Sequence, residues 1–168
     1  MIRVVVDDLA SVETDAVVRP ATTSLEPAAP TLDRLERIAG PAVRPHLSPG
    51  TRLGVGAAVV TGGGGLPTEL VIHAVIMGDD QPVSAAGIRH TVTSLIQRAV
   101  DWELARIATP LLGAGPGQLP LDDAARILVD ALAGDLSHTT YPREVCIVVG
   151  SEEEREIVDA CIRGRLTT

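Results

Sequence analysis

The residues that point most clearly to chemistry lie between Arg106 and Ala125, in the segment RIATPLLGAGPGQLPLDDAA. An apolar run from Ile107 to Leu112 leads into the glycine-rich stretch 113–117, and a helical pattern then opens on Asp122 and Asp123. Glycines let backbone N–H groups face a ligand without an intervening Cβ, and a helix N-terminus adds partial positive charge and free N–H donors. This order predicts a site for a phosphate or diphosphate, although such a loop also serves as a simple turn.

Other candidate catalytic or metal-binding groups are isolated along the chain. His73 lies in the most apolar segment, where a hydrogen-bonded core histidine is the favoured interpretation. The two cysteines, Cys146 and Cys161, are expected to be buried free thiols. No nucleophile with a base partner can be assembled, so no catalytic residue, metal or cofactor is predicted. The remaining histidines have no carboxylate or cysteine at metal-ligand spacing: His46, His90 and His138.

Composition excludes several function classes. The net charge is −8, which argues against a nucleic-acid-binding role. All fourteen basic residues are arginine, so no lysine is present for Schiff-base or phosphate chemistry. Trp102 and Tyr141 are the only aromatic residues, which disfavours a site that stacks bases on aromatic faces.

The length and hydropathy of the chain fit one domain over residues 1–168. No apolar run approaches the ~20 residues of a membrane helix, and the first residues lack the pattern of a signal peptide. We therefore expect a cytoplasmic protein that makes no membrane contact.

Strands and helices alternate along the sequence, which predicts an α/β sandwich with helices on both faces of the sheet. Strands are predicted at Ile2–Val6, Ala16–Val18 (interrupted by Arg19-Pro20), Ala57–Thr61, Leu70–Met77, Ile107–Leu112 and Glu144–Val149. Helices are predicted from Thr31 to Ala39, Ser84 to Leu104, Asp122 to Leu136 and Glu152 to Arg163, with Thr31, Ser84 and Ser151 as N-caps.

Three stretches, in the right order, together resemble the macro domain, a module that binds ADP-ribose. The first is Asp7-Asp8-Leu9 followed by the strand at 14–18, and the second is the glycine run at 61–67 leading into the sequence VIHAV. The third is the sequence IATPLLGAG with Leu119-Pro120 after it. This resemblance covers nearly the whole chain and implies a three-layer α/β/α sandwich with a central mixed, mostly parallel sheet.

The resemblance also implies a binding site at the strand ends. Asp8 would accept a hydrogen bond from the adenine amino group, and backbone N–H groups of the glycine loop would hold the diphosphate and the distal ribose. The ligand-binding residues predicted in this way are Asp8, Leu9, Thr22, Gly113, Ala114, Gly115, Pro116 and Gly117.

The first loop of the site departs from the family pattern. Arg19-Pro20-Ala21-Thr22 stands where the family has asparagines and alanines, and prolines fill the stretch where it has glycines. Hydrolytic members place an asparagine at the position of Thr22 and an aspartate near that of Asp33, which is displaced by one residue here. Residues 116–118 replace the family's aromatic residue. We expect a remodelled first loop, with Arg19 offsetting the charge of Glu26 if it faces the cleft.

Three hypotheses follow. The leading one is a binding module for ADP-ribose or a related nucleotide diphosphate, free or on an ADP-ribosylated protein, with weak or no catalysis. The second is an ADP-ribosyl hydrolase that works by substrate-assisted attack of water, in which Asp33 or a first-loop hydroxyl replaces the usual catalytic pair. The third is a diverged domain that serves as an oligomerisation or protein-contact module. The proline-filled first loop would fit this role, as would the long helix from Ser84 to Leu104 if part of its apolar stripe stayed exposed.

Overall fold

A computed structural model describes residues 1–29, 32–43 and 50–167. Six strands form one sheet in the order β1-β6-β5-β2-β4-β3, in which β3 alone is antiparallel to its neighbour. The strands are β1 Ile2–Val6, β2 Ala16–Thr22, β3 Ala58–Gly62, β4 Leu70–Met77, β5 Arg106–Pro110 and β6 Glu144–Val149. The helices are α1 Asp33–Ala39, α2 Ala85–Asp101, α3 Leu121–Leu136 and α4 Glu152–Leu166, with a short 3-10 helix at Pro41–Val43.

Two apolar cores lie on opposite faces of this sheet. Side chains from α2, α3 and α4 fill the larger core, and α1 with the segment after β1 covers the smaller one. Aliphatic residues fill both cores, as the near absence of aromatic residues requires. The predicted three-layer sandwich with a mixed, mostly parallel sheet is confirmed.

Strand β2 is longer than predicted, because Arg19 and Pro20 continue it rather than interrupt it. β2 pairs with β4 along its whole length, but with β5 only at Ala16 and Val17. The Pro20 carbonyl accepts from the Ala28 amide 3.1 Å away, on the side from which β5 has already diverged. Since the N–H and C=O of a strand residue face the same side, the missing proline N–H costs no bond to β4.

The helix ends confirm two of the predicted caps. The hydroxyl groups of Ser84 and Ser151 accept from the amides of Gly87 and Glu154 at the starts of α2 and α4. Helix α3 begins at Leu121 after Pro120 and has no side-chain cap, so Asp122 and Asp123 lie in its first turn and are not its caps. The predicted cap Thr31 and the surface histidine His46 lie outside the described residues.

Most of the apolar stripe of α2 packs into the larger core. Ile88, Val92 and Leu95 are 0% exposed, and Val100 near the end of the helix is partly exposed. The buried residues of this stripe therefore do not meet the condition under which the helix would contact a partner. None of the helices in the described ranges is long and apolar enough to cross a membrane.

Candidate functional site

A cleft of about 290 Å³ lies at the carboxyl ends of the parallel strands. It opens where β2 and β5 separate, which is also where the strand order reverses and where α/β sheets commonly bind ligands. The chain segments that follow β1, β5 and β6 form one side of it, and the first loop and α1 form the other. Its lining includes Asp7, Asp8, Leu9, Ala10, Pro20, Ala29, Leu32, Leu35, Ile76, Pro110, Leu111, Gly113, Ala114, Gly115, Pro116, Gln118, Val148, Val149, Gly150 and Glu154.

The glycine loop after β5 lines this cleft with Gly113, Ala114 and Gly115. Gly113 has φ +83°, a conformation that favours glycine, and a hydrogen bond from the Leu119 amide to the Gly113 carbonyl closes the loop at 2.9 Å. Within the described ranges no protein acceptor binds the amide of Gly113, and the amide of Ala114 has only a long contact of 3.4 Å. The Gly115 amide, in contrast, donates to Oε1 of Gln118 at 2.9 Å.

Asp8 lies at the other end of the cleft, immediately after β1. Its carboxylate accepts from the Ala10 amide at 3.0 Å and from the Ser11 hydroxyl at 3.3 Å, and it forms an ion pair with Nε of Arg34 at 2.6 Å. A carboxylate offers about four acceptor positions, so Asp8 retains capacity for one further donor. Asp8 and Arg34 are both substantially exposed, which makes their ion pair weak.

The charged groups on the cleft wall are all acidic in the part of the chain that the structure describes: Asp7, Asp8 and Glu154. Glu154 belongs to the acidic run at the start of α4. Its carboxylate accepts from the Gly150 amide at 2.8 Å, while the hydroxyl of Ser151 accepts from the Glu154 amide. The two bonds cap α4 beside the cleft, and the Ser-x-x-Glu spacing typical of a capping box could have indicated this arrangement.

The first loop, which follows β2, folds back along the side of β2 that β5 leaves unpaired after Val17. The Thr22 hydroxyl accepts from the Glu26 amide at 3.2 Å, Leu25 has φ +64°, and Ala21 bridges to Pro27. The loop therefore covers the edge that β5 leaves open. Thr22 itself is engaged in this turn and does not line the cleft.

Asp33 and Gly117 also lie off the cleft wall. Asp33 is exposed in the first turn of α1, and Gly117 is exposed at the outer side of the glycine loop. The structure therefore brings six of the eight predicted ligand-binding residues to the described cleft lining: Asp8, Leu9, Gly113, Ala114, Gly115 and Pro116.

Arg19 does not face the cleft, so the expectation that it offsets charge there is wrong. Its side chain is 1% exposed and lies on the α1 side of the sheet. The guanidinium donates to Glu36, to the Leu25 carbonyl at 2.9 Å and to Nδ1 of His73 at 3.2 Å. Arg19 thus ties β2 to both α1 and the first loop.

His73 is a buried core histidine, as predicted. Because a guanidinium only donates, Nδ1 accepts from Arg19, so Nε2 carries the proton and donates to the Thr61 hydroxyl at 2.7 Å. Burial, with a further contribution from the charge of Arg19, lowers the pKa of His73 to about 4. His73 is therefore neutral at physiological pH and lies outside the cleft lining.

Several cleft residues were not predicted from the sequence. Ala29, Leu32 and Leu35 reach the cleft because the first loop and α1 pack across it, whereas Gln118 reaches it because its side chain folds back onto Gly115 of its own loop. No local pattern marks them, since their positions depend on how β2 and β5 separate.

Comparisons with known proteins agree with this geometry. A family model described as Macro domain matches residues 18–128. An uncharacterised protein of Mycobacterium tuberculosis is 32% identical over 125 residues, which are 74% of this chain but 35% of that protein. The chain thus spans about a third of the length of this relative.

Two further proteins match over most of their length. A protein of an Enterobacter species named O-acetyl-ADP-ribose deacetylase is 29% identical, over 93% of this chain and 90% of that protein. A mutant of the Oceanobacillus iheyensis macrodomain, solved with ADPR, superposes with a TM-score of 0.86 at 21% identity, over 98% of this chain and 93% of the other. At this identity, the structural match supports the same fold.

Proposed function

Because this chain belongs to the Macro domain family, we propose that its cleft binds ADP-ribose or a related adenine nucleotide, with weak or no catalysis. The observation that carries the proposal is the convergence, on one cleft, of the acceptor Asp8 with two amides of the glycine loop: that of Gly113, for which the described residues provide no acceptor, and that of Ala114, which has only a long bond of 3.4 Å. The solved Oceanobacillus iheyensis macrodomain with ADPR supports the choice of ligand.

The two ends of the cleft suit two parts of such a ligand. Asp8 has one acceptor position left for an exocyclic amino group. Gly113 and Ala114 offer neutral N–H dipoles to a phosphate, and fixed backbone dipoles of this kind bind anions without a cationic side chain. The apolar side chains of Leu9, Leu32 and Leu35 would cover the flat faces of the base and sugar.

A catalytic role has less support from the residues in place. The named activity of the Enterobacter relative suggests one, but Asp33 is exposed outside the cleft lining and the Thr22 hydroxyl is held in a turn. We propose that Asp33 is not a catalytic residue. Release of ADP-ribose from a modified protein, if it is detected, should then be unchanged in Asp33→Ala.

Isothermal titration calorimetry with ADP-ribose tests the binding proposal, with AMP and ribose 5-phosphate as the partial ligands. We expect adenine nucleotides to bind at micromolar concentrations and ribose 5-phosphate to bind more weakly. Asp8→Ala should weaken the binding of AMP and ADP-ribose about tenfold, because it removes one charge-assisted hydrogen bond.

Glu69→Ala is the matched control, since it removes one exposed carboxylate from the loop that precedes β4, at the opposite end of the sheet. Equal affinities in Asp8→Ala and the wild type would refute the assignment of Asp8. Absence of heat with every nucleotide would refute the proposed function and favour a protein-contact module, for which size-exclusion chromatography would be the next measurement.

A further inference from the structure

Gln118 forms a bridge between the two loops that face each other across the cleft. Its Oε1 accepts from the Gly115 amide at 2.9 Å, and its Nε2 donates to the Ala28 carbonyl at 2.8 Å. The same nitrogen lies 3.6 Å from the sulfur of Met77. One side chain therefore joins the glycine loop to the first loop.

Both ends of this bridge are held in place by other bonds. On the glycine loop, the backbone N–H of Gln118 donates to the Gly115 carbonyl at 3.0 Å. This bond closes a turn, over which the side chain of Gln118 folds back. On the first loop, the Ala28 amide donates to the Pro20 carbonyl at 3.1 Å. The Leu25 carbonyl nearby is fixed by the buried Arg19. The bridge thus links two constrained segments.

The space beside Gly115 is filled by the Gln118 side chain. A Cβ on Gly115 would lie 2.9 Å from Oε1 of Gln118, which is closer than such atoms approach. The cleft volume of about 290 Å³ lies just below the range of pockets that enclose a drug-sized ligand, about 300–1,000 Å³. The side chain of Gln118, bonded to Gly115 and to Ala28, occupies the space between the two loops.

We infer that Gln118 is a specificity-determining residue that excludes a second sugar from this end of the cleft. The inference rests on the proposed function, in which the base lies at Asp8 and the first phosphate at the amides of Gly113 and Ala114. A group carried beyond the phosphates must then pass Gly115, whose amide already has an acceptor. The cleft favours short adenine nucleotides, and ADP-ribose binds only after it displaces the side chain of Gln118.

Calorimetry on the wild type and Gln118→Ala, with AMP and ADP-ribose, tests this inference. In the wild type, ADP-ribose should bind no more tightly than AMP despite its larger contact area. In Gln118→Ala, ADP-ribose should bind about tenfold more tightly, the equivalent of about 1.4 kcal/mol, while the affinity for AMP should change less than about twofold. Gln97→Ala is the control, since this exposed glutamine on α2 donates to Asp101 and is not part of the described cleft lining.

A measurement on the wild type keeps the test independent of how well the variant folds. In NMR spectra, the side-chain amide resonances of Gln118 should shift when ADP-ribose is added and should remain unchanged with AMP. Equal affinities for ADP-ribose in the wild type and Gln118→Ala, with AMP bound by both, would overturn the inference alone. If neither the wild type nor Gln118→Ala bound AMP or ADP-ribose, the proposed function and this inference would both be overturned.

Discussion

At the scale of single residues, the buried pair of Arg19 and His73 shows how a charge is accommodated inside this sheet. Arg19 is surrounded by Glu36, the Leu25 carbonyl and the acceptor nitrogen of His73. The charge is thus hydrogen-bonded on several sides, which offsets much of the cost of its burial. The arrangement requires a neutral His73, because a protonated ring would direct an N–H at the guanidinium.

This requirement predicts a stability that depends on pH. The pKa of His73 is about 4 in the folded protein and about 6.5 in an unfolded chain. Between these values the unfolded state binds the proton and the folded state does not, so the free energy of unfolding falls as the pH falls from 6.5 to 4. The loss from this group should total about 3 kcal/mol, at most about 1.4 kcal/mol per pH unit.

Urea denaturation of the wild type and His73→Asn at pH 7, 5.5 and 4.5 measures this effect. The variant is expected to be less stable at pH 7, but its stability should decline less with pH than that of the wild type. All groups other than His73 are common to both proteins, so the difference between the two pH profiles isolates His73. Parallel profiles would contradict the assignment.

At the scale of elements, the glycine loop is shaped by two glycines with different surroundings. Gly113 and Gly117 both have positive φ, +83° and +73°. A Cβ on Gly113 would lie 2.9 Å from Cγ1 of Val83, whereas a Cβ on Gly117 would meet no atom within 4 Å. Only Gly113 is therefore constrained both by its backbone conformation and by its packing.

Alanine substitutions should separate these two constraints. Gly113→Ala combines backbone strain of about 1–2 kcal/mol with overpacking of about 1–3 kcal/mol, so a loss of about 2–5 kcal/mol in stability is expected. Gly117→Ala should cost only the backbone strain. Gly134→Ala, in the last turn of α3 with open space around it, should stabilise the protein by up to about 1 kcal/mol.

Thermal and chemical denaturation of the three variants checks this order. Gly113→Ala should also weaken nucleotide binding, because the amides that face the cleft depend on its conformation. Similar stabilities for Gly113→Ala and Gly117→Ala would show that the contact with Val83 relaxes at little cost.

At the scale of the whole molecule, an acidic protein is proposed to bind an anionic ligand. The net charge is −8, and the charged residues on the described cleft wall are carboxylates. Neutral backbone dipoles allow this combination, since they attract a phosphate without adding net charge to the protein. The charge of the molecule as a whole opposes the approach of the ligand.

Added salt should therefore not weaken the binding of the nucleotide. Because the Debye length falls from about 30 Å at 0.01 M salt to about 8 Å at 0.15 M, added salt screens this repulsion. The affinity for AMP or ADP-ribose should rise modestly or stay constant as sodium chloride increases. Calorimetry at several salt concentrations gives the slope, and a marked loss of affinity would indicate that an arginine holds the phosphate instead.

The sequence alone determined the type and order of the elements and the position of the glycine loop. The apolar strands β4 and β6 and the stripe of α2 follow directly from residue pattern, as do the caps Ser84 and Ser151. These features depend on neighbours along the chain, so local periodicity is sufficient to predict them.

Only the tertiary structure decided which side chains meet at the cleft. The residue pattern predicted that strand β2 ends before Arg19, whereas Arg19 belongs to the strand. Its burial depends on Glu36 and His73, which are distant in the chain. Gln118 reaches Ala28 across 90 positions of sequence. Such contacts arise because β5 leaves β2 after Val17 and the first loop fills the edge, an outcome set by packing between elements rather than by any local pattern.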